Sequence, residues 1–160
     1  MSKAFTRESD DSGGEEIAPI RPRLPPGTTN YITRAGAECL QERLKTLIEE
    51  KEQLATSSPD LRKLETNIRT LQQTLNSVVI AKPPPNLDKV AFGAIVCIRD
   101  QNGEEETYRI VGIDEAEPEK NLISWLSPLA RGLLSRKVGD VIRFRAPSGP
   151  RELNILSIAY

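Results

Sequence analysis

Histidine is absent from the 160 residues, and cysteine occurs only twice, as Cys39 and Cys97, in separate segments and without a CxxC spacing. The missing imidazole excludes histidine-based triads and most zinc or iron centres. Two thiols alone cannot complete a four-ligand zinc site, so each cysteine reads as a small buried hydrophobe rather than a redox or catalytic group. Excess charge is also missing: 22 basic and 23 acidic residues leave a formal net charge of −1. That balance argues against binding nucleic acid by bulk charge, because a phosphate footprint shows as a basic excess. No run approaches the ~18 apolar residues of a membrane span, so no membrane partner is expected. Met1 to Asp11 is charged and has no apolar h-region, unlike a secretory signal. These absences point to a cytoplasmic chain that is not a stand-alone enzyme of a common type, with no metal or cofactor of its own.

What is present falls into three parts. Residues 1–28 read as a disordered arm, with Pro19, Pro22, Pro25 and Pro26, scattered charge and few large apolar groups. Such a stretch buries too little surface to offset its ordering entropy. Residues 29–81 carry the clearest periodicity. Ala37, Leu40, Leu44, Leu47 and Leu54 follow 3-4 spacing, interrupted at Lys51, and Leu61, Leu64, Ile68, Leu71, Leu75 and Val78 repeat it without a break. These are a and d rows of two helices with narrow apolar seams. Thr33 is the N-cap candidate of the first helix. Ser58 is that of the second, with Pro59 at its first position. The short interval between Leu54 and Leu61 favours antiparallel neighbours, so the segment is expected to be a helical hairpin about 34 Å long. Seams paired within one chain predict a monomer.

Pro83, Pro84 and Pro85 mark a linker over residues 82–87. Residues 88–160 then change to strand-like runs. Ala94–Arg99 and Thr107–Ile113 flank a hairpin signal at Asn102-Gly103. Leu122–Leu126 is a third strand, Pro128–Arg136 a short helix, and Val141–Arg145 and Leu153–Tyr160 two further strands. The expected class is α+β: a mainly antiparallel sheet with one short helix packed on it, following a helical hairpin.

Several of these segments resemble the Gre family of bacterial transcription elongation factors. Ile32-Thr33-Arg34-Ala35-Gly36, followed by Leu40 and Leu44, is similar to the family's opening motif and first helix. Phe92-Gly93-Ala94, Tyr108-Arg109-Ile110-Val111-Gly112 and Asp114-Glu115 resemble the start of its C-terminal domain. The longest match is Ile123 through Leu134, containing Trp125-Leu126-Ser127-Pro128-Leu129-Ala130-Arg131, followed by Val138-Gly139-Asp140. The opening Met1-Ser2-Lys3-Ala4-Phe5-Thr6 and the proline-rich arm are closer to GreB-type members. The resemblance implies an FKBP-like C-terminal domain that docks at the rim of the secondary channel of RNA polymerase, with the helical finger inserted and in indirect contact with nascent RNA. In the family, acidic residues at the finger tip help hold a Mg²⁺ ion of the polymerase active site, which hydrolyses backtracked RNA by metal-activated water.

This sequence departs from the family at that tip. The turn is Ala55-Thr56-Ser57-Ser58-Pro59-Asp60, without the acidic pattern of cleavage-competent members. Asp60 is its only acid, and an acid there also suits a helix N-terminus. Glu52 is the other tip candidate, placed near Asp60 across the turn. Cleavage stimulation is therefore expected to be weak or absent. The resemblance carries polymerase binding onto Ser127 and Pro128, with Asp114 in a neighbouring loop and Arg131 on the same surface. Ser127-Pro128 reads equally as a helix start. Trp125 is assigned to the core because it stands in an apolar strand run. Three other readings stand beside these: a true transcript-cleavage factor with Asp60, and Glu52 beside it, helping to hold Mg²⁺ at the tip; a helical-hairpin adaptor; and prolyl isomerisation, for which fold alone is no warrant.

Overall fold

The structure, a computed structural model, describes residues 24–54 and 58–160. Most of the arm, and Ala55, Thr56 and Ser57 of the inter-helix turn, lie outside the described residues. The chain runs β1 (Asn30–Ile32), α1 (Arg34–Gln53), α2 (Asp60–Ser77), β2 (Val78–Ile80), β3 (Ile95–Asp100) and β4 (Glu105–Val111). A turn of 3-10 helix (Pro118–Lys120), β5 (Leu122–Ser124), α3 (Pro128–Leu133), β6 (Val141–Ala146) and β7 (Gly149–Ala159) complete it. Helices come first and a sheet follows, a mixed α+β arrangement. Among the described residues no helix is long and apolar enough to cross a membrane.

Thr33 starts α1 by the capping its residue type favours: its Oγ1 accepts from the Gly36 N–H at 3.0 Å. The two helices touch along thin seams. Only Ala37 on α1 and Leu64 on α2 are buried, and Leu40, Leu44, Leu47, Leu61, Ile68 and Leu71 are half-buried. Lys51 near the end of α1 pairs with Glu65 near the start of α2 at 2.9 Å, so the helices run in opposite directions. The start of α2 differs from expectation by one residue. Pro59 is its N-cap with no side-chain cap, and the Ser58 Oγ accepts from the Asp60 N–H at a long 3.4 Å. Its end differs too. Val78, counted in the helical row, turns extended and opens β2, which pairs in parallel with β1 (Asn30↔Val78, Ile32↔Ile80). Val78-Val79-Ile80 is a β-branched run that suits a strand, and β1 offers it backbone partners.

The second sheet has the order β5-β4-β3-β7-β6, with β4–β5 parallel and every other pair antiparallel. Its inner face alternates as a half-buried strand should: Val96, Ile98, Leu153 and Ile155 are buried and meet Ile110, Ile142, Ala130 and Leu133. The hairpin between β3 and β4 uses the residues that announced it. Gly103 takes φ 86°, and the Asp100 carboxylate accepts from the Asn102 and Glu104 N–H groups at 2.8 and 3.0 Å.

Both cysteines are less buried than expected. Cys39 is exposed on α1, and Cys97 is half-buried; Cys39 directly precedes seam residue Leu40, and adjacent residues on a helix do not share a face. Trp125 lies beyond β5 in a turn. It is half-buried, packing partly on the core and partly against Tyr31, with ring centroids 6.3 Å apart.

Candidate functional site

The parallel pairing of β4 with β5 sets the geometry of the site. Val111 and Ser124 are register partners at the ends of their strands, and the Trp125 N–H donates to the Val111 carbonyl at 2.9 Å. Both following loops therefore leave the same end of the sheet. Asp114 stands three residues past Val111, and Ser127 three residues past Ser124. That shared exit was not visible in the sequence, where a dozen residues separate the two.

The second loop is held by its own side chains. The Ser124 Oγ accepts from the Leu126 N–H at 3.2 Å, and the Ser127 N–H donates to the Ser124 carbonyl at 2.8 Å. Ser127 then caps α3, its Oγ accepting from the Ala130 N–H at 3.1 Å, with Pro128 at the first helical position. Ala130 and Leu133 anchor the helix in the core, while Pro128 and Arg131, three positions apart, are exposed. Ser127, Pro128 and Arg131 thus share one short, well-supported helix start. The Ser127 hydroxyl proton has no acceptor within the chain among the described hydrogen bonds, so it can donate outward.

Asp114 stands in the first of the two loops. It is half-buried, and its carboxylate accepts from the Asn30 Nδ2 at 2.9 Å. It also lines a surface hollow with Leu40 and Arg43 of α1 and Asn67 and Leu71 of α2. The next residue, Glu115, went unassigned in the sequence reading, yet it is the most heavily bonded carboxylate at this end. It accepts from the Thr33 N–H, the Thr33 hydroxyl and the Gly112 N–H. Beside it, Tyr31 packs between Phe92 and Trp125 at 6.0 and 6.3 Å.

At the far end of the helices, Glu52 and Asp60 line different hollows. Glu52 sits with Gln41, Leu44 and Ile48, all on α1. Asp60 shares its hollow with Glu50, Leu54, Lys63 and Leu64. Glu50 is therefore the glutamate nearest in kind to a tip partner of Asp60. Its signal was present, since Glu50 stands three residues after Leu47 and four before Leu54 and so flanks the seam. Among the described residues no three or more Asp, Glu or Cys side chains gather as a metal site.

On the sheet, Asp100 is buried and bonded to Arg151 at 2.8 Å. That hydrogen bond, helped by those from Glu104 and Asn102, holds its carboxyl below the usual aspartate range against the opposing effect of burial.

Residues 84–160 match the family described as Transcription elongation factor, GreA/GreB, C-term. Transcription elongation factor GreB of Neisseria meningitidis serogroup B is 35% identical over 155 residues, covering 83% of this chain and 95% of that protein. GreB of Pasteurella multocida is also 35% identical, over 82% of this chain and 97% of its own. GreA of Yersinia pestis bv. Antiqua is 51% identical over 77 residues, 48% of this chain and 49% of that one. A solved GreA/GreB factor from Nitrosomonas europaea, 23% identical, aligns over 83% of this chain and 99% of its own with a TM-score of 0.44. The chain thus falls in the class of transcription elongation factors. It belongs to the GreA/GreB family.

Proposed function

We propose that this protein binds RNA polymerase at the rim of the secondary channel and modulates elongation there, with weak or no stimulation of transcript cleavage. The sheet domain, residues 88–160, is read as FKBP-like and supplies the docking surface through Ser127, Pro128 and Arg131, with Asp114 in the neighbouring loop. Residues 29–81 act as a helical finger that enters the channel, joined by the linker at 82–87, and the protein works as a cytoplasmic monomer. Any hydrolysis is the polymerase's own, so the chain is not itself an enzyme.

The observation that carries the weak-cleavage reading is the tip. From residue 54 to 60 the only acid is Asp60, and Glu52 does not share its hollow. A single carboxylate supplies little of the oxygen donor set that a second Mg²⁺ needs. A second reading rests on Glu50, which does share that hollow: Glu50 and Asp60 together support the polymerase-held metal.

The test is RNA cleavage in stalled, backtracked elongation complexes, with and without the protein and with a cleavage-competent Gre factor added in a second arm. The first reading expects no cleavage alone and inhibition of the competitor. Cleavage by the protein alone that Asp60→Ala and Glu50→Ala each abolish would establish the second reading. Neither effect, together with failure to bind core polymerase, would refute both.

A further inference from the structure

Between the helices and the sheet lies a joint that the docking and tip residues do not explain. Glu115, in the loop after β4, reaches back 82 positions in sequence to Thr33 at the head of α1. One carboxylate oxygen, Oε2, accepts from the Thr33 N–H and the Gly112 N–H, both at 2.9 Å. The other accepts from the Thr33 hydroxyl, whose oxygen in turn caps α1 through the Gly36 N–H. Thr33 is itself buried, at 7% exposure, so these bonds are shielded from competing water.

Two glycines leave the room for this contact. A Cβ on Gly36 would overlap the Glu115 carboxylate, and a Cβ on Gly112 would overlap the backbone carbonyl of Tyr31. Neither residue has a positive φ, so what they supply is close approach and not an unusual backbone. Gly36 stands in the first turn of α1, where helix propensity gives no reason to prefer glycine to alanine. Asn30 to Asp114 forms a second strut, and Tyr31 between Phe92 and Trp125 a third contact.

We propose that Glu115 is a positioning residue: its carboxylate latches the first turn of α1 to the sheet domain and sets the direction in which the helical pair leaves that domain. The 20 residues of α1 make a lever about 30 Å long. A swing of roughly 10° at its base moves the far end by about 5 Å, more than the tolerance of any contact made there. The functional consequence rests on the docking reading above: a docked sheet domain delivers the tip to one place only while the latch holds.

The test uses the full chain with Cys39→Ser and Cys97→Ser, carrying spin labels at Gln53→Cys and Ser148→Cys, both exposed positions. Dipolar electron resonance on the free protein then reads the separation between the helical end and the sheet. The parent and Glu115→Gln, which keeps the carbonyl that accepts from Thr33 and Gly112, are expected to give one narrow distance peak. Glu115→Ala and Gly36→Ala are expected to lose it for a broad distribution while circular dichroism stays unchanged. Should Glu115→Ala not fold, Gly36→Ala decides, because alanine favours the helix while displacing the carboxylate. A narrow peak retained in Gly36→Ala and in folded Glu115→Ala overturns the proposal. This readout involves no polymerase, so a failure of the docking reading is seen separately as failure of the parent protein to bind core polymerase.

Discussion

Ser127 has two roles that one pair of substitutions separates. Its Oγ accepts from the Ala130 N–H at 3.1 Å and so caps α3, a helix of 6 residues whose Ala130 and Leu133 are fully buried. Ser127→Ala removes the cap and is expected to cost about 1 kcal/mol, lowering Tm by about 4–8 °C if the sheet domain melts as a unit of under a hundred residues. Ser127→Asp restores an acceptor at the same place and suits the positive end of the helix, so its stability should stay within about 0.5 kcal/mol of the parent. Aspartate cannot donate outward at neutral pH, whereas the serine hydroxyl can. Losing one interfacial hydrogen bond of about 1.4 kcal/mol is a tenfold loss of affinity. The pair is read by urea denaturation and by titration of labelled protein with core RNA polymerase. A Ser127→Asp protein that is as stable as the parent but binds about tenfold more weakly supports both roles. Parental affinity in that variant refutes the docking role, and parental stability in Ser127→Ala refutes the cap.

Leu133→Ala should destabilise by about 2–5 kcal/mol, because Leu133 is fully buried where α3 meets the sheet and a cavity would remain; a shift in the urea midpoint at constant slope checks it. Asp100 gives a pH prediction. Its carboxyl titrates below the ordinary value of 3.8 in the folded chain, chiefly through the hydrogen bond from Arg151. The stability it adds is therefore complete above that ordinary value and is lost as pH falls through the lower folded one. Asp100→Asn should lose stability at neutral pH, and the gap to the parent should close in acid; a gap that stays constant with pH counts against the assignment.

Local signals read correctly wherever the chain decides its structure over a few residues. Thr33 announced the start of α1, Asn102-Gly103 the hairpin, and Ser127-Pro128 the start of α3. Each is a turn or cap whose hydrogen bonds close within four positions. The misplacements share a different cause. Val78 continued the spacing of the α2 seam, but β1 offered its backbone a partner from 48 positions earlier. The strand read over Leu122–Leu126 stops at Ser124, and Trp125 packs on the core from the turn that follows. At the tip, Asp60 lines one hollow with Glu50 while Glu52 lines another on α1.

The sequence by itself determined the two long helices, the strand-rich character of the C-terminal half, and the family, through Ile123–Leu134 and the motif around Thr33. Periodicity and capping are short-range properties, so they survive in a one-dimensional reading. Tertiary structure alone decided that the Asp114 and Ser127 loops leave the same sheet end, because that follows from β4 and β5 pairing in parallel. It alone decided that Glu115 grips Thr33. A carboxylate and the N–H groups that fill its lone pairs carry no mark of each other across 82 positions, and only folding brings them within hydrogen-bond reach.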